Sequence, residues 1–318
     1  MDEEGKPTIA VCGVGGAGCN TINRLLRMGV SKAELIAFNT DRKHLNLVAE
    51  GAKKCLIGQS VTRGLGAGGY PEMAEKAAVS SRKTIADLLE GKDIVFITCG
   101  MGGGTGTGAS PVIAQIAKEK GAITIAFCTF PFSLEKGRMG KAKEGIAKLK
   151  GVADTIVLID NNRLVDYAGK LPIEKSFEVL DELVAKAVSG IAKTILEPSL
   201  LNLDYMDVKT ITENGGIAAI CVGDAGGYDR VEELPNSVLK NRLLDVDVTG
   251  ARGVLVHITG GADLTLGDAT RAGELLTEKV DENANVIYGA RIEGGYEKRI
   301  EAITIFTGIS ENYHLGRR

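Results

Sequence analysis

Continuous apolar runs alternate with helical patterns along the first half of the chain. Such runs are typical of parallel strands that are covered on both faces. The predicted strands are residues 8–12, 35–38, 54–57, 94–98, 123–128 and 155–159. Predicted helices include residues 19–28, 71–89 and 111–120, with Pro71 and Pro111 each in a first helical turn. This alternation predicts a doubly wound α/β sheet that binds ligands at the carboxyl ends of its strands.

A long predicted helix follows, and the order of predicted strands and helices changes after it. Apolar side chains recur every three or four positions up to Pro198, which predicts an amphipathic helix. The recurring residues are Phe177, Leu180, Val184, Ala187, Val188, Ile191 and Ile195. In the last third of the chain the pattern predicts strands over 216–222, 253–259, 286–292 and 300–307. It predicts helices over 230–244 and 266–282, and Pro235 should kink or split the helix at 230–244. We therefore expect a domain at 1–173, a connecting helix at 174–198, an α+β domain at 199–309 and a disordered tail at 310–318.

Charge and composition exclude several classes of protein. The 318 residues have a formal net charge of −3 and no long basic run, so nucleic-acid binding is not expected. The six cysteines are scattered and form no CxxC pair, which favours buried thiols in a cytoplasmic protein over a zinc site. No apolar run approaches the roughly 20 residues that span a bilayer, so direct membrane insertion is not expected.

Glycine-rich loops follow two of the predicted strands. The first strand ends in Gly-Val-Gly-Gly-Ala-Gly-Cys-Asn over residues 13–20, where a helix begins. Bare backbone N–H groups and the helix dipole favour a phosphate at such a place. A dinucleotide-binding protein has the same pattern, and Asp41 stands where its ribose-binding acid is expected. This loop alone leaves a dinucleotide-dependent enzyme and other nucleotide-binding proteins open.

The loop after the fourth predicted strand makes a dinucleotide-dependent enzyme the weaker of these two interpretations. Residues 100–111 read Gly-Met-Gly-Gly-Gly-Thr-Gly-Thr-Gly-Ala-Ser-Pro. Alternating glycine and threonine supply N–H donors and two hydroxyls, which predicts a second, stronger anion site. No Lys-Ser/Thr pair closes the loop, which disfavours a P-loop fold. Two such loops on one sheet indicate a nucleotide whose phosphate chain spans both. A third glycine stretch, residues 64–69, by itself favours an ordinary flexible loop.

These motifs together resemble the FtsZ/tubulin superfamily over nearly the whole chain. Its GGGTG(T/S)G signature matches residues 102–108. Further matching stretches are residues 15–20, 39–41, 62–68, 131–139, 161–164 and 202–208. The pattern is similar to FtsZ rather than to eukaryotic tubulin, and we expect an archaeal origin. The resemblance implies a Rossmann-like GTPase domain with a mainly parallel sheet, a long central helix and a smaller α+β C-terminal domain. It also implies binding of GTP and GDP, with Mg²⁺ held by phosphates and water rather than by side chains.

The resemblance assigns nucleotide-binding roles by position. Phosphate contacts are implied for Gly15, Gly16, Ala17, Gly18, Asn20, Gly102, Gly103, Gly104, Thr105, Gly106, Thr107 and Gly108. The γ-phosphate loop and the second-strand loop contribute Ala67, Gly68, Gly69, Asn39 and Asp41. Glu135 and Arg138 would contact ribose or phosphate, in a loop one residue shorter than the family pattern. Asn161 and Asp181 would read the guanine edge and Phe177 would stack on the ring, with a core aromatic as the alternative for Phe177.

An acidic stretch follows the long helix. Asp204 and Asp207 are three residues apart at a predicted helix start, which from the sequence alone favours helix capping. The family carries Asn-x-Asp-x-x-Asp at this place, and Asn202, Asp204 and Asp207 match it. The resemblance therefore implies that these side chains act on the GTP of the neighbouring subunit, so that hydrolysis needs assembly.

The resemblance also implies partners and a location. A head-to-tail contact that does not close builds filaments, so the first partner is another copy of the chain. The expected place is the cytoplasm at the division site, in ring formation or another cytoskeletal task. FtsZ chains usually carry a terminal peptide that docks on membrane-tether proteins. The sequence stops at Arg318, soon after the last predicted strand, so either it is a shortened form of a longer chain or this member lacks the peptide; both alternatives stay open and put the tether route in doubt.

Two other functions stay open on the sequence. One is a non-assembling nucleotide-binding regulator on the same fold, which the three matching polar residues at 202, 204 and 207 disfavour. The other is an NAD-dependent oxidoreductase, which leaves residues 102–108 unexplained and lacks a catalytic His or Tyr constellation. His44, His257 and His314 are isolated in the sequence and are interpreted as structural or surface residues.

Overall fold

A computed structural model describes residues 7–30, 32–196, 201, 203–239 and 247–309 of the chain. The predicted tail at 310–318, Asn202 and the end of the predicted helix 230–244 lie outside the described residues. The chain divides into two compact units, with the division after Ala185, inside the long helix. The two units are described separately, and the domain limits expected from the sequence stay a prediction.

The first unit is built on a parallel sheet of six strands. They are β1 (Ile9–Val14), β2 (Glu34–Asn39), β3 (Lys53–Leu56), β4 (Ile94–Gly100), β5 (Ile123–Phe130) and β6 (Thr155–Asp160). Their order is β3-β2-β1-β4-β5-β6, and every adjacent pair is parallel. The order reverses between β1 and β4, and ligands bind at such a switch point at the carboxyl ends of the strands. β1 is buried along its whole length because helices cover the sheet.

Nine helices are described that begin in this unit. They are α1 (Gly15–Arg27), α2 (Arg42–Asn46), α3 (Gln59–Thr62), α4 (Pro71–Ser80), α5 (Arg82–Leu89), α6 (Thr105–Glu119), α7 (Lys136–Lys150), α8 (Asn161–Ala168) and α9 (Ile173–Leu196). The helices α2, α3, α7 and α8 were not predicted. In α7 the three glycines at 137, 140 and 145 lower the helix propensity, and packing of the buried Ile146 and Leu149 offsets this.

Two predicted helix bounds are wrong for identifiable reasons. The predicted helix 71–89 is two helices, because Ser81 leaves helical geometry and its hydroxyl accepts a hydrogen bond from the Gly58 N–H at 2.8 Å. The helix expected from Pro111 begins at Thr105, since the Gly108 N–H already bonds the Gly104 carbonyl at 3.0 Å. The glycine-threonine loop is thus itself the first turns of α6, and Pro111 lies inside the helix.

The second unit combines three helices with a four-stranded mixed sheet. Beyond α9, its elements are α10 (Tyr205–Thr212), β7 (Gly216–Gly226), α11 (Arg230–Leu239), β8 (Gly253–Gly260), α12 (Leu266–Thr277), β9 (Asn285–Ile292) and β10 (Arg299–Thr307). Strand β10 is antiparallel to both β7 and β8, and β9 is parallel to β8. The helix α11 continues through Pro235, so the predicted split is wrong: the proline removes one amide donor and the helix runs on to Leu239. The predicted α+β arrangement is confirmed.

None of the described helices is long and apolar enough to cross a membrane.

Close packing between α4 and α6 depends on Gly108. A Cβ atom at this position would collide with the backbone carbonyl of Pro71. We expect Gly108→Ala to lower the free energy of unfolding by about 1–3 kcal/mol, because backbone cannot move aside as a side chain can. Gly140 is also helical, but a Cβ there meets nothing within 4 Å. Gly140→Ala is the matched control and should stabilise by up to about 1 kcal/mol. Urea unfolding measures both; equal effects of the two substitutions would contradict the packing argument.

Candidate nucleotide site

A cavity of about 500 Å³ opens at the carboxyl ends of the central strands of the first unit. Its size falls within the roughly 300–1,000 Å³ of small-ligand sites. The lining comes from the ends of β1, β4 and β5 and from the beginnings of α1, α6, α8 and α9. The cavity therefore lies where the reversal of strand order predicts a ligand.

Two helices begin together at one end of this cavity. A Cβ on Gly15, which has φ +74°, would lie 2.9 Å from the Gly106 nitrogen, so the starts of α1 and α6 approach through a position without a side chain. Lining residues at this end are Gly16, Ala17, Gly103, Gly104, Thr105 and Gly106, and Asn20 lines the cavity as well as an adjoining cleft beside Phe177 and Asp181. The first N–H groups of both helices are unpaired within their helices and carry partial positive charge. This end suits a chain of phosphates.

Side-chain hydroxyls hold the two loops in place. The Thr107 hydroxyl accepts a hydrogen bond from the Gly102 N–H at 2.8 Å, inside the turn that precedes α6. The Thr105 and Thr40 hydroxyls lie 2.7 Å apart, which ties α6 to the loop after β2. The two threonines of the signature therefore serve loop geometry in the structure, and only Thr105 also lines the cavity.

The opposite end of the cavity is apolar with one carboxyl group. Phe177 and Phe132 line it with their ring centroids 6.1 Å apart in an edge-on arrangement. Phe177 is 40% exposed, which argues against the alternative of a core aromatic. Asp181 lies beside them, and the Thr21 hydroxyl donates to its Oδ1 at 3.3 Å. Burial raises the pKa of the Asp181 carboxyl to about 6, against the hydrogen bond from Thr21, which lowers it.

Two consecutive asparagines at the start of α8 have different surroundings. Asn162 is fully engaged, since its Oδ1 accepts from the Ser133 N–H at 2.8 Å and its amide donates to Asp160 at 2.6 Å. Asn161 lines the cavity, and its buried Oδ1 has no hydrogen-bond partner among the described residues. A buried acceptor without a donor is costly, so a ligand that brings an N–H group to Asn161 would be favoured.

Glu135 and Arg138 lie at the rim and bind each other. Their side chains form an ion pair at 2.7 Å, and the second Glu135 oxygen accepts from the Phe132 N–H at 3.1 Å. Both residues line the cavity. In this arrangement Glu135 organises the loop that carries Phe132.

Several of the predicted site residues do not line the cavity. They are Gly15, Gly18, Asn39, Asp41, Ala67, Gly68, Gly69, Gly102, Thr107 and Gly108. Asp41 caps α2 by accepting from the His44 N–H at 3.1 Å. The stretch 67–69 lies against the loop before α6, since a Cβ on Gly104 would lie 2.9 Å from that of Ala67. Their contacts with a nucleotide stay a prediction.

Conversely, sequence reasoning missed several lining residues. They are Val14, Thr21, Thr98, Cys99, Gly100, Met101, Phe127, Thr129, Pro131, Phe132, Leu180 and Val184. Many of them stand at the carboxyl ends of β1, β4 and β5, and that placement was an available signal. Leu180 and Val184 belong to the apolar stripe of α9, where the sequence gives no reason to separate cavity wall from core.

The acidic pair lies in the second unit, at the start of α10. The Asp207 N–H donates to Asp204 Oδ1 at 3.0 Å, and the Asp204 N–H donates to Asp207 Oδ2 at 2.9 Å. This reciprocal capping box is the structural role that the sequence alone favours. It uses one oxygen of each carboxylate and leaves the second oxygen outside the box.

The described residues contain no group of three or more His, Cys, Asp or Glu side chains that could hold a metal ion.

The raised pKa of Asp181 makes a prediction about stability. A carboxyl whose pKa rises from 3.8 to about 6 on folding stabilises the fold below pH 4 relative to neutral pH. That contribution is lost as the pH rises through 6. We expect Asp181→Asn to be more stable than the parent protein by about 1–3 kcal/mol at pH 7, without ligand, and the gain to shrink towards pH 4.

Asp154 provides the matched control for Asp181→Asn. It is also buried, but it accepts from the Thr124 N–H at 3.0 Å and pairs with Lys118 at 2.8 Å. Asp154→Asn loses the ion pair and should destabilise. Urea unfolding of both variants from pH 4 to pH 8 makes the comparison. A destabilised Asp181→Asn at pH 7 would show that the native contacts of the carboxylate outweigh its burial.

The chain matches known proteins along most of its length. The family described as "Tubulin/FtsZ family, GTPase domain" matches residues 8–169, and "FtsZ family, C-terminal domain" matches residues 216–310. "Cell division protein FtsZ 2" of Methanocaldococcus jannaschii is 50% identical over 319 residues, covering 99% of this chain and 84% of that protein. "Cell division protein FtsZ 2" of Haloferax volcanii is 49% identical over 315 residues, covering 99% and 78%.

A solved structure described as "FtsZ dimer, empty (M. jannaschii)" is similar in fold, with a TM-score of 0.89. It is 42% identical and the match covers 96% of this chain and 89% of that one. The predicted FtsZ resemblance and the predicted tubulin/FtsZ fold are confirmed. The alternative of an NAD-dependent oxidoreductase is thereby excluded. The chain belongs to the Tubulin/FtsZ family and is a GTPase that binds GTP and GDP.

Proposed function

We propose that the chain is a cell-division GTPase that assembles head to tail into filaments and hydrolyses GTP where successive copies meet. Relatives that are about half identical are named for cell division, and the similar M. jannaschii structure is described as a dimer. Assembly at the cytoplasmic division site is the role that these likenesses support.

One observation carries the assembly-dependent mechanism. The described residues that line the cavity include two carboxylates, Glu135 and Asp181. Glu135 is committed to Arg138 and to the Phe132 N–H. Asp181 lies at the apolar end, away from the paired helix starts that suit the phosphates. The cavity thus suits a nucleotide but has no described acid placed to orient water beside the proposed position of the terminal phosphate.

The cavity assigns the parts of GTP to its two ends. The phosphates would be bound by N–H groups of residues 15–20 and 103–106, and the ion pair of Glu135 and Arg138 would face the ribose or phosphates. The base would stack on Phe177 with Asp181 accepting from guanine N1 and N2. Adenine offers no such pair of donors. The ionised form of Asp181 is required for this contact, and at pH 7 that form predominates because its pKa is about 6.

Mg²⁺ would be held mainly by phosphate oxygens and water, because the described side chains offer no cluster for it. When bound, it supplies positive charge that offsets the charge of the transferring phosphoryl group. The chain itself contributes backbone N–H groups and two helix dipoles at the same end of the cavity.

Asp204 and Asp207 are proposed to orient the attacking water in the cavity of the next copy. The capping box fixes both carboxylates at the start of α10 and leaves one oxygen of each for water. Asn202 is proposed to assist, on the resemblance alone. A contact that places one copy's α10 at another copy's cavity is heterologous, and such a contact propagates as a filament. Membrane-tether proteins are proposed as further partners on the family resemblance alone.

The competing function is a nucleotide-binding regulator that does not assemble. Such a protein needs the nucleotide cavity, but its α10 would have only a structural role. The two functions differ in whether specific GTPase activity depends on protein concentration: it rises above a threshold for an assembling enzyme and stays flat for a regulator.

Asp207→Asn separates catalysis from capping. Asparagine keeps an oxygen that can accept the Asp204 N–H and removes the charge that polarises water. We expect GTP binding to persist and GTPase activity above the assembly threshold to fall at least about tenfold. Asp268→Asn is the control, since Asp268 holds the same position in the capping box of α12. Asp268→Asn should keep its GTPase activity if the loss in Asp207→Asn occurs because Asp207 acts on the GTP of the neighbouring copy.

Mixing two inactive variants tests whether the site is shared. Asp207→Asn keeps an intact cavity, and a second variant with Asp181→Ala keeps Asp207 while its base end is disabled. A mixture forms contacts that join an intact cavity to an intact acidic pair. We expect GTPase activity to reappear in the mixture and to rise above a threshold of total concentration, as it should for the parent protein. A mixture that stays inactive while both variants still enter one filament would contradict the shared site.

A further inference from the structure

A chain of hydrogen bonds after β2 fixes the orientation of one amide. The Asp41 backbone N–H donates to Asn39 Oδ1 at 3.1 Å. A backbone N–H can only donate, so this contact identifies the oxygen of the Asn39 side chain. The amide nitrogen must point the other way. It approaches Cys19 Sγ at 3.7 Å and His44 Nδ1 at 3.4 Å, which accounts for both of its hydrogens.

The same chain determines where His44 carries its proton. Because the Asn39 nitrogen donates, His44 Nδ1 must accept, and a neutral imidazole then has its hydrogen on Nε2. The backbone of His44 is also fixed, since its N–H donates to Asp41 Oδ1 at 3.1 Å in the cap of α2. Asn39 and Asp41 thus hold a half-buried histidine whose remaining donor has a defined direction.

The Nε2 atom of His44 lies beside the start of α1. A Cβ placed on Gly16 would be 3.6 Å from Nε2, an ordinary contact distance. Gly16 has no side chain between its backbone and the imidazole, and it lines the phosphate end of the cavity. An N–H donor therefore lies within contact distance of the Gly16 position at the start of α1, although His44 itself is not among the residues that line the cavity.

We propose that His44 Nε2–H donates a hydrogen bond to the phosphate chain of the bound nucleotide. This inference rests on the proposed assignment of the glycine end of the cavity to the phosphates. It gives Asn39 and Asp41 an indirect part in binding: they act through the orientation of His44 and the cap of α2. His44 is then a binding residue, although the sequence alone favours a structural or surface role.

Three variants and two ligands test the proposal. His44→Leu removes the donor, whereas His44→Gln keeps an N–H group near the position of Nε2. Lys43→Leu is the control, because it changes an exposed residue of the same short helix. Competition binding measures the affinity of each full-length variant for GDP and for guanosine, which has no phosphate. We expect His44→Leu to weaken GDP binding about tenfold while guanosine binding changes less than about twofold. His44→Gln and Lys43→Leu should bind GDP nearly as well as the parent protein.

Each other outcome has a defined meaning. Unchanged GDP binding by His44→Leu would overturn the proposal, as would an equal loss for GDP and guanosine, since the histidine would then act on the base or on cavity shape. Equal losses for His44→Gln and His44→Leu would assign the effect to packing rather than to donation. A parent protein that binds neither ligand would instead remove the proposed function on which this inference rests.

Discussion

The close approach of α1 and α6 is the constraint on which the site depends. It brings two sets of helical N–H groups to one place, and it exists because Gly15 and Gly106 meet without side chains between them. Each helix follows directly from a parallel strand, so the order of β1 and β4 in the sheet decides that both helices begin at the same edge. The anion-binding character thus comes from backbone arrangement and helix dipoles, with side chains such as Thr107 and Thr105 holding the loops still.

At the other end of the cavity, two polar groups lower the stability of the empty protein and would favour the binding of a base. Asp181 is buried with a raised pKa, and Asn161 has a buried oxygen without a described partner. Both are unfavourable in the empty protein, and both become favourable when a base brings N–H donors to them. Asp154 shows the contrast within the same unit: it is more deeply buried than Asp181, but protein groups satisfy it already. A buried polar group that the fold leaves unsatisfied is therefore a better indicator of ligand contact here than burial or charge alone.

The apolar pattern predicted the strands of both units well, because most strands of the parallel sheet and of the mixed sheet are largely buried and are apolar along most of their length. Helix starts were predicted poorly where glycine was dense: α6 begins inside its glycine loop, and the proline at 111 gave a false start. Motifs located two glycine-rich loops that border the cavity, but they could not separate residues that line the cavity from those that pack behind it, as Gly108 does against Pro71. Roles that depend on three-dimensional hydrogen bonds, such as the part of Asn39 in orienting His44, have no signal in a single sequence.

The acidic pair at α10 shows why half of a shared site is hard to recognise. Spacing of three residues is what a capping box requires, and the structure satisfies that requirement completely. Nothing in the local geometry therefore demands a second role. The argument for a second role comes from the cavity: the described residues that line it suit phosphates and a base, but they include no carboxylate placed to orient water in the proposed arrangement. The proposed function connects this missing carboxylate with the second oxygens of Asp204 and Asp207 through a contact between two copies of the chain. Catalysis would then report assembly directly, because neither half of the site hydrolyses GTP without the other.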